Sequence, residues 1–237
     1  VLGKLLNAGQ VCLAPDYLLV AEEQEEAVIG GLVRAASALY PRLLDNPDYT
    51  AVVNARHHLR LTGYLEDAAQ KGAEVIEVNP AGEDFAASNG TKLPLYIVRN
   101  ARDDMALMQD EIFGPILPVH RYRRIEDAID FVNGRDRPLG LYYFGEDATE
   151  ERKVLERTIS GGVTVNDVIF HVSMEDLPFG GIGPSGMGAY HGIDGFRTFS
   201  HARAVYRQPK LDVARLAGFK PPYGPGTRKA IARELKD

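Results

Sequence analysis

At 237 residues, with 33 acidic against 27 basic side chains, the chain carries a formal net charge of −6. Its Lys and Arg residues are scattered rather than gathered into a stripe, which argues against a nucleic-acid partner. Its apolar runs break well short of the roughly 18 residues that cross a bilayer and it opens on no basic-then-apolar leader, so no membrane span is expected and the compartment reads as cytoplasmic. The single cysteine, Cys12, excludes an intramolecular disulfide and leaves a thiol that is either buried filler or a reactive group.

Val1 to Asn7 begin without Met and place apolar residues at helical spacing, as the interior of a longer fold does. Tyr17 to Val20 is a short apolar run. The acidic start and spaced apolar residues of Glu22 to Tyr40 predict an amphipathic helix. A second helix is expected from about Arg56 to Gly72, closed by that glycine, before a strand at Glu74 to Val78. Further strands are expected at Leu93 to Arg99, Ile116 to Tyr122, Leu141 to Phe144 and Gly162 to Val165, with helices at Glu126 to Asn133 and Thr149 to Thr158 between them. Short β-branched runs interleaved with helices indicate an α/β fold, an open and largely parallel sheet flanked by helices. Leu177 to Gly195 holds seven glycines with Pro178 and Pro184 and reads as a long functional loop. Beyond it, Ala204 to Arg207 suggests one more strand, and Arg228 to Lys236 a short basic helix.

On residue type alone, Cys12 in Asn7-Ala8-Gly9-Gln10-Val11-Cys12 is more often inert than reactive, although Ala8-Gly9 lets backbone approach a substrate closely. Glu111-Ile112-Phe113-Gly114-Pro115 puts an acid and an aromatic two residues apart, on one side of an extended segment, before a turn. Gly181-Ile182-Gly183-Pro184-Ser185-Gly186 satisfies a dinucleotide G-x-G-x-x-G pattern without the strand before it or the acid after it, and is read as a decoy. Met187 stands where a serine-hydrolase elbow needs glycine. No spacing of the six histidines predicts a metal site, while His171 and His191 flank the glycine-rich loop as structural histidines or bases.

Taken in order, the Cys12 block, the Glu111 block and Leu177-Pro178-Phe179-Gly180-Gly181 with Ser185-Gly186-Met187-Gly188 resemble the aldehyde dehydrogenase superfamily from the first residues to about Ala204. Ala14-Pro15-Asp16-Tyr17, Asn166 to His171, Gly188 to Gly192 and the Lys220-Pro221-Pro222-Tyr223 tail are similar to the class 3 and coniferyl-aldehyde branch. The resemblance implies a cysteine-bearing catalytic domain at 1–201 and a strand and tail at 202–237 that meets another domain or a second subunit of a homodimer. It implies Cys12 as nucleophile, Glu111 and Phe113 against an NAD or NADP cofactor, and Tyr17, Asn166, Phe170, His171 and Phe179 around the aldehyde. The family's general-base glutamate, an asparagine oxyanion donor and the Rossmann-like cofactor domain all lie upstream of such a cysteine, so these 237 residues alone are expected to show little activity. A relative that passes its acyl group to coenzyme A, and a non-catalytic binding protein on the same fold, remain open alternatives.

Overall fold

A computed structural model describes residues 1–235. It divides into two compact units, 1–198 and the remainder from Phe199.

In the first unit a single turn, α1 (Leu2–Leu5), runs into a tight 3-10 turn at Leu6–Gly9. Then follow β1 (Leu18–Ala21), α2 (Glu25–Leu39), α3 (Ala55–Gln70), β2 (Glu74–Val78), β3 (Leu95–Arg99), β4 (Ile116–Tyr122) and α4 (Ile125–Asn133). The unit finishes with β5 (Gly140–Tyr143), α5 (Ala148–Arg157), β6 (Gly162–Val165) and α6 (Gly192–Thr198). Local chemistry accounts for the boundaries. Asn54 accepts the His57 N–H and starts α3, and Asp147 accepts the Thr149 and Glu150 N–H groups and starts α5. Gly72, at φ +90°, carries the chain out of α3 in a left-handed conformation.

The strands pair as a four-stranded sheet in the order β1-β4-β3-β2 and a separate two-stranded sheet of β5 and β6. All neighbours are parallel except β2 with β3. The exception is the one pair of successive strands here joined by a loop that returns along the same edge. Between β5 and β6, α5 supplies the crossover that parallel strands need. Side-chain alternation along β3 sets the layers. Leu95 and Ile97 join Ile29 and Ala36 of α2 in one core, and Val98 joins Leu61, Tyr64 and Ala68 of α3 in the other. Arg99, at the end of β3, pairs at 3.0 Å with the buried Glu25 in the first turn of α2 and fixes that helix along the strands.

Two expectations change. The glycine-rich stretch is not loop throughout, because α6 starts at Gly192 inside it. No strand forms at Ala204 to Arg207, since a strand needs a ladder partner and these residues pair with none among those described. Val205 and Tyr206 stand exposed there. The second unit contains instead a short turn of helix, α7 (Val213–Leu216), and α8 (Pro225–Glu234), the latter started by proline in its first turn. The expected end of that helix at Lys236 lies outside the described residues.

Candidate active site

Cys12 stands exposed on a β-turn that closes by an Ala14 N–H to Val11 carbonyl bond of 2.9 Å. The chain reaches this turn through three successive left-handed residues, Asn7 at φ 51°, Ala8 at φ 55° and Gly9 at φ 73°. The two that are not glycine carry a conformational cost of about 1–2 kcal/mol each, which tertiary contacts must offset. Gln10 supplies several of these contacts. Its side-chain amide donates to the Asn7 and Ala51 carbonyls, and its Oε1 accepts the Val53 N–H at 2.8 Å. On the far side of the turn Leu13 is buried, and its carbonyl accepts a 2.7 Å bond from the Tyr142 hydroxyl on β5. The cysteine thus sits on a turn held at both shoulders.

The Glu111 block reaches the same place because β1 and β4 are parallel neighbours, and each motif immediately precedes its strand. A Cβ on Gly9 would lie 2.4 Å from the Gly114 carbonyl oxygen, so backbone meets backbone there and only glycine fits. Asp16 accepts the Ile112 N–H at 3.0 Å, and Arg60 donates to the Ile112 carbonyl at 2.7 Å. Ile112 is buried, while Glu111 and Phe113 on either side of it are exposed. The segment is not extended throughout, however. Phe113 takes φ 49°, because the chain must turn at Gly114 to enter β4 while both backbone groups of Ile112 are held by charged side chains.

Lys4, the least expected member of this group, is 2 % exposed. Burial pushes its pKa down to about 8, opposed by the charges of Asp16 and then Glu111. Asp16 is itself raised by burial, with Lys4 and the Ile112 N–H pulling the other way. The Glu111 carboxyl is raised by desolvation and then by Asp16. It forms no hydrogen bond or ion pair with the described residues. The carboxylate is thus left free to accept hydrogen bonds from a ligand, next to the exposed ring of Phe113.

The remaining residues divide. Gly140 on β5 approaches Leu13, Tyr142 and His171 closely enough that a Cβ would lie 2.8 Å from Leu13 Cδ2. His171 is 7 % exposed, with its Nδ1 2.7 Å from the Thr164 hydroxyl and its Nε2 without a partner. Burial lowers its pKa, so it packs as a neutral ring between Tyr142 and Phe179, at centroid distances of 6.2 and 5.9 Å. Phe179 is buried and bridged by its backbone to Tyr190. A path of direct contacts therefore runs from the Cys12 turn through Tyr142 and His171 to the Phe179 block. Phe170 turns its ring outward. Asn166, at φ 55°, spends both ends of its amide on the backbone of Gly145, and so holds the β5 and β6 ends together. Tyr17 lies apart from the Phe179 cluster and packs edge-on against His120 and Phe131. The decoy glycine pattern is a tight hairpin with Gly183 bridged to Gly186, and not a phosphate loop before a helix.

Among the described residues seven that are not glycine have positive φ, and of these only Asn100 lies outside the recognised blocks. Strain concentrated in this way is a mark of functional segments. Sequence reading missed Lys4 and Tyr142. A lysine in an apolar turn reads as exposed, and Tyr142 is one of two adjacent tyrosines with nothing to single it out.

Comparison with known proteins identifies the family. A probable coniferyl aldehyde dehydrogenase of Caulobacter vibrioides is 58 % identical over 234 residues, which is 99 % of this chain and 48 % of that protein. The substrate-bound structure of Staphylococcus aureus AldH superposes with a TM-score of 0.80 at 34 % identity, covering 99 % of this chain and 49 % of that one. Betaine aldehyde dehydrogenase of Staphylococcus aureus, solved in complex with NAD+, shares the fold at TM-score 0.72 and 23 % identity, over 83 % of this chain and 39 % of that one. The chain spans about half the length of the relatives it matches. Residues 1–205 match the aldehyde dehydrogenase family, and the chain belongs to that family.

Proposed function

We propose that these residues form the cysteine-bearing catalytic half of an NAD(P)-dependent dehydrogenase that oxidises an aromatic aldehyde of the coniferyl type to its acid. The observation that carries the reading is the locking of the Cys12 turn against the Glu111 block, through Gly9 on Gly114 and Asp16 on Ile112. The Cys12 thiolate adds to the aldehyde carbon, and its own N–H helps to hold the oxyanion that forms. Glu111 would hold ribose hydroxyls and Phe113 would pack by the nicotinamide of NAD or NADP, which would supply the hydride acceptor for the oxidation of this adduct to a thioester. Water then cleaves the thioester, releasing the acid and restoring the thiol. Phe179 and His171 shape the pocket from the β6 side, with Phe170, Tyr17 and Asn166 at its margins. The exposed Val205 stretch is assigned to a second subunit or domain, where it gains the ladder partner it lacks here. The compartment proposed is the cytoplasm, where an exposed thiol stays reduced.

The test grafts the 237 residues in place of the matching half of the Caulobacter relative and follows coniferaldehyde-dependent NADH formation. Cys12→Ala is expected to lower kcat by at least 1,000-fold, a change of about 4 kcal/mol. An active graft whose Cys12→Ala form keeps its activity contradicts the assignment.

A further inference from the structure

We infer that Tyr142 is a positioning residue for the nucleophile, its hydroxyl fixing the Cys12 turn in the orientation that receives an oxyanion. The inference rests on the reading of Cys12 as nucleophile. Its geometric basis is the Tyr142 Oη to Leu13 carbonyl bond of 2.7 Å, which links non-adjacent parts of the chain. The Leu13 carbonyl shares its peptide plane with the Ala14 N–H, which closes the turn on the Val11 carbonyl, and that carbonyl in turn shares its plane with the Cys12 N–H, so holding the Leu13 carbonyl fixes the closing bond that orients the Cys12 N–H. Leu13 is buried and contacts Gly140 on the strand that carries Tyr142, so the turn has side-chain and backbone anchors on one element.

Burial pushes the pKa of this hydroxyl up to about 12, with the backbone N–H of Ile169 pulling the other way and the charge of Cys12 adding to the rise. The phenol therefore stays protonated and donating across the range in which a thiol ionises. Ile169 itself is held at φ 69°, and it leads directly into Phe170 and His171. Gln10 anchors the upstream shoulder on Ala51 and Val53, and Tyr142 anchors the downstream shoulder. Without the second anchor the turn can pivot about the first, and a misplacement of about 1 Å at a reacting atom costs on the order of 100-fold.

The experiment compares two reactions of the sole cysteine of this chain. With p-nitrophenyl acetate, a bond forms between Sγ and the acyl carbon and the ester C–O bond breaks. The thiol proton goes to solvent and p-nitrophenolate leaves with the electron pair, through a tetrahedral oxyanion. With iodoacetamide, Sγ displaces iodide directly and no oxyanion forms. The ratio of the two rates cancels thiolate fraction and access, and a purely structural role for Tyr142 does not move it. Tyr142→Phe is expected to lower the acylation-to-alkylation ratio at least tenfold with alkylation changed less than threefold, and 4-aminophenylalanine at 142, which restores a donor, to return the ratio to within threefold of wild type. A folded Tyr142→Phe with an unchanged ratio overturns the inference and leaves the nucleophile assignment standing. Acylation of wild-type Cys12 no faster than that of free cysteine overturns both. Should Tyr142→Phe fail to fold, the 4-aminophenylalanine form decides alone: a ratio within threefold of wild type sustains the inference, and a tenfold loss overturns it.

Discussion

Gly9→Ala tests whether the meeting of the two motifs sets the geometry of the reaction. A methyl group at residue 9 would lie 2.4 Å from the Gly114 carbonyl oxygen, where ordinary contact begins at 3.4 Å. The Cys12 turn and the Glu111 block must then separate by about 1 Å, a displacement of the size that costs on the order of 100-fold in rate, or about 2.7 kcal/mol of barrier. The substitution also forces alanine into a left-handed conformation at φ +73°, a cost of about 1–2 kcal/mol in stability. Gly72→Ala separates the two effects. It sits at φ +90° with nothing within 4 Å of the new methyl, so it carries the conformational cost without the clash. In the grafted dehydrogenase, kcat for coniferaldehyde and the urea midpoint are measured for both variants. Gly72→Ala is expected to lose stability and keep its kcat, and Gly9→Ala to lose both. A Gly9→Ala enzyme that retains a third or more of wild-type kcat refutes the view that this contact positions the nucleophile.

Two further predictions concern stability. Burial, and then the charge of Arg135, push His120 down from 6.5 to about 4. A base with a depressed pKa in the folded state contributes stability that is present above pH 6.5 and lost as pH falls toward 4, up to about 3 kcal/mol. Between pH 7 and 5 wild type should lose about 2 kcal/mol more than His120→Phe in urea titrations, and parallel curves would contradict the buried, neutral state. Leu61 is fully buried on α3 and presses on Gly114, its methyls 2.5 Å from where a Cβ there would be. Leu61→Ala should cost about 2–5 kcal/mol by the same assay, and a loss under about 1 would show that α3 does not support the Glu111 block.

How legible these features were in the sequence follows from the range of the forces involved. β4 and β6 were readable to the residue, and α3 and α5 within a residue or two, because β-branched runs and capping residues such as Asn54 and Asp147 act locally. The antiparallel turn of β2 and the split into two sheets depend on which strands meet, and no local pattern encodes that. The Ala204 to Arg207 run has strand composition but finds no neighbour, so propensity alone does not make it a strand. Cys12, Glu111, Phe113 and Phe179 were singled out through their blocks, and contacts link those blocks to one another. Asn166 and Tyr17 were found the same way, yet their side chains are occupied by Gly145 and by the His120 cluster. Lys4 was hidden because nothing local marks it as buried and one of the two charges acting on it, Glu111, is more than 100 residues away, and Tyr142 because its function lies in one hydrogen bond to backbone.

The parallel pairing of β1 with β4, Leu18 opposite Val119, has a consequence for how the site is assembled. Neither motif holds its geometry alone, because each ends at a strand whose place is set by the other. The Cys12 turn and the Glu111 block must therefore form together, at a stage of folding when residues about a hundred apart along the chain have already met. A slip of one residue in that ladder would shift the Glu111 block along the Cys12 turn by about 3.3 Å and turn the β4 core residues toward the wrong face. The hydrophobic cores on the two sides of the sheet resist such a slip, so the same packing that stabilises the unit also acts as the gauge that aligns its chemistry.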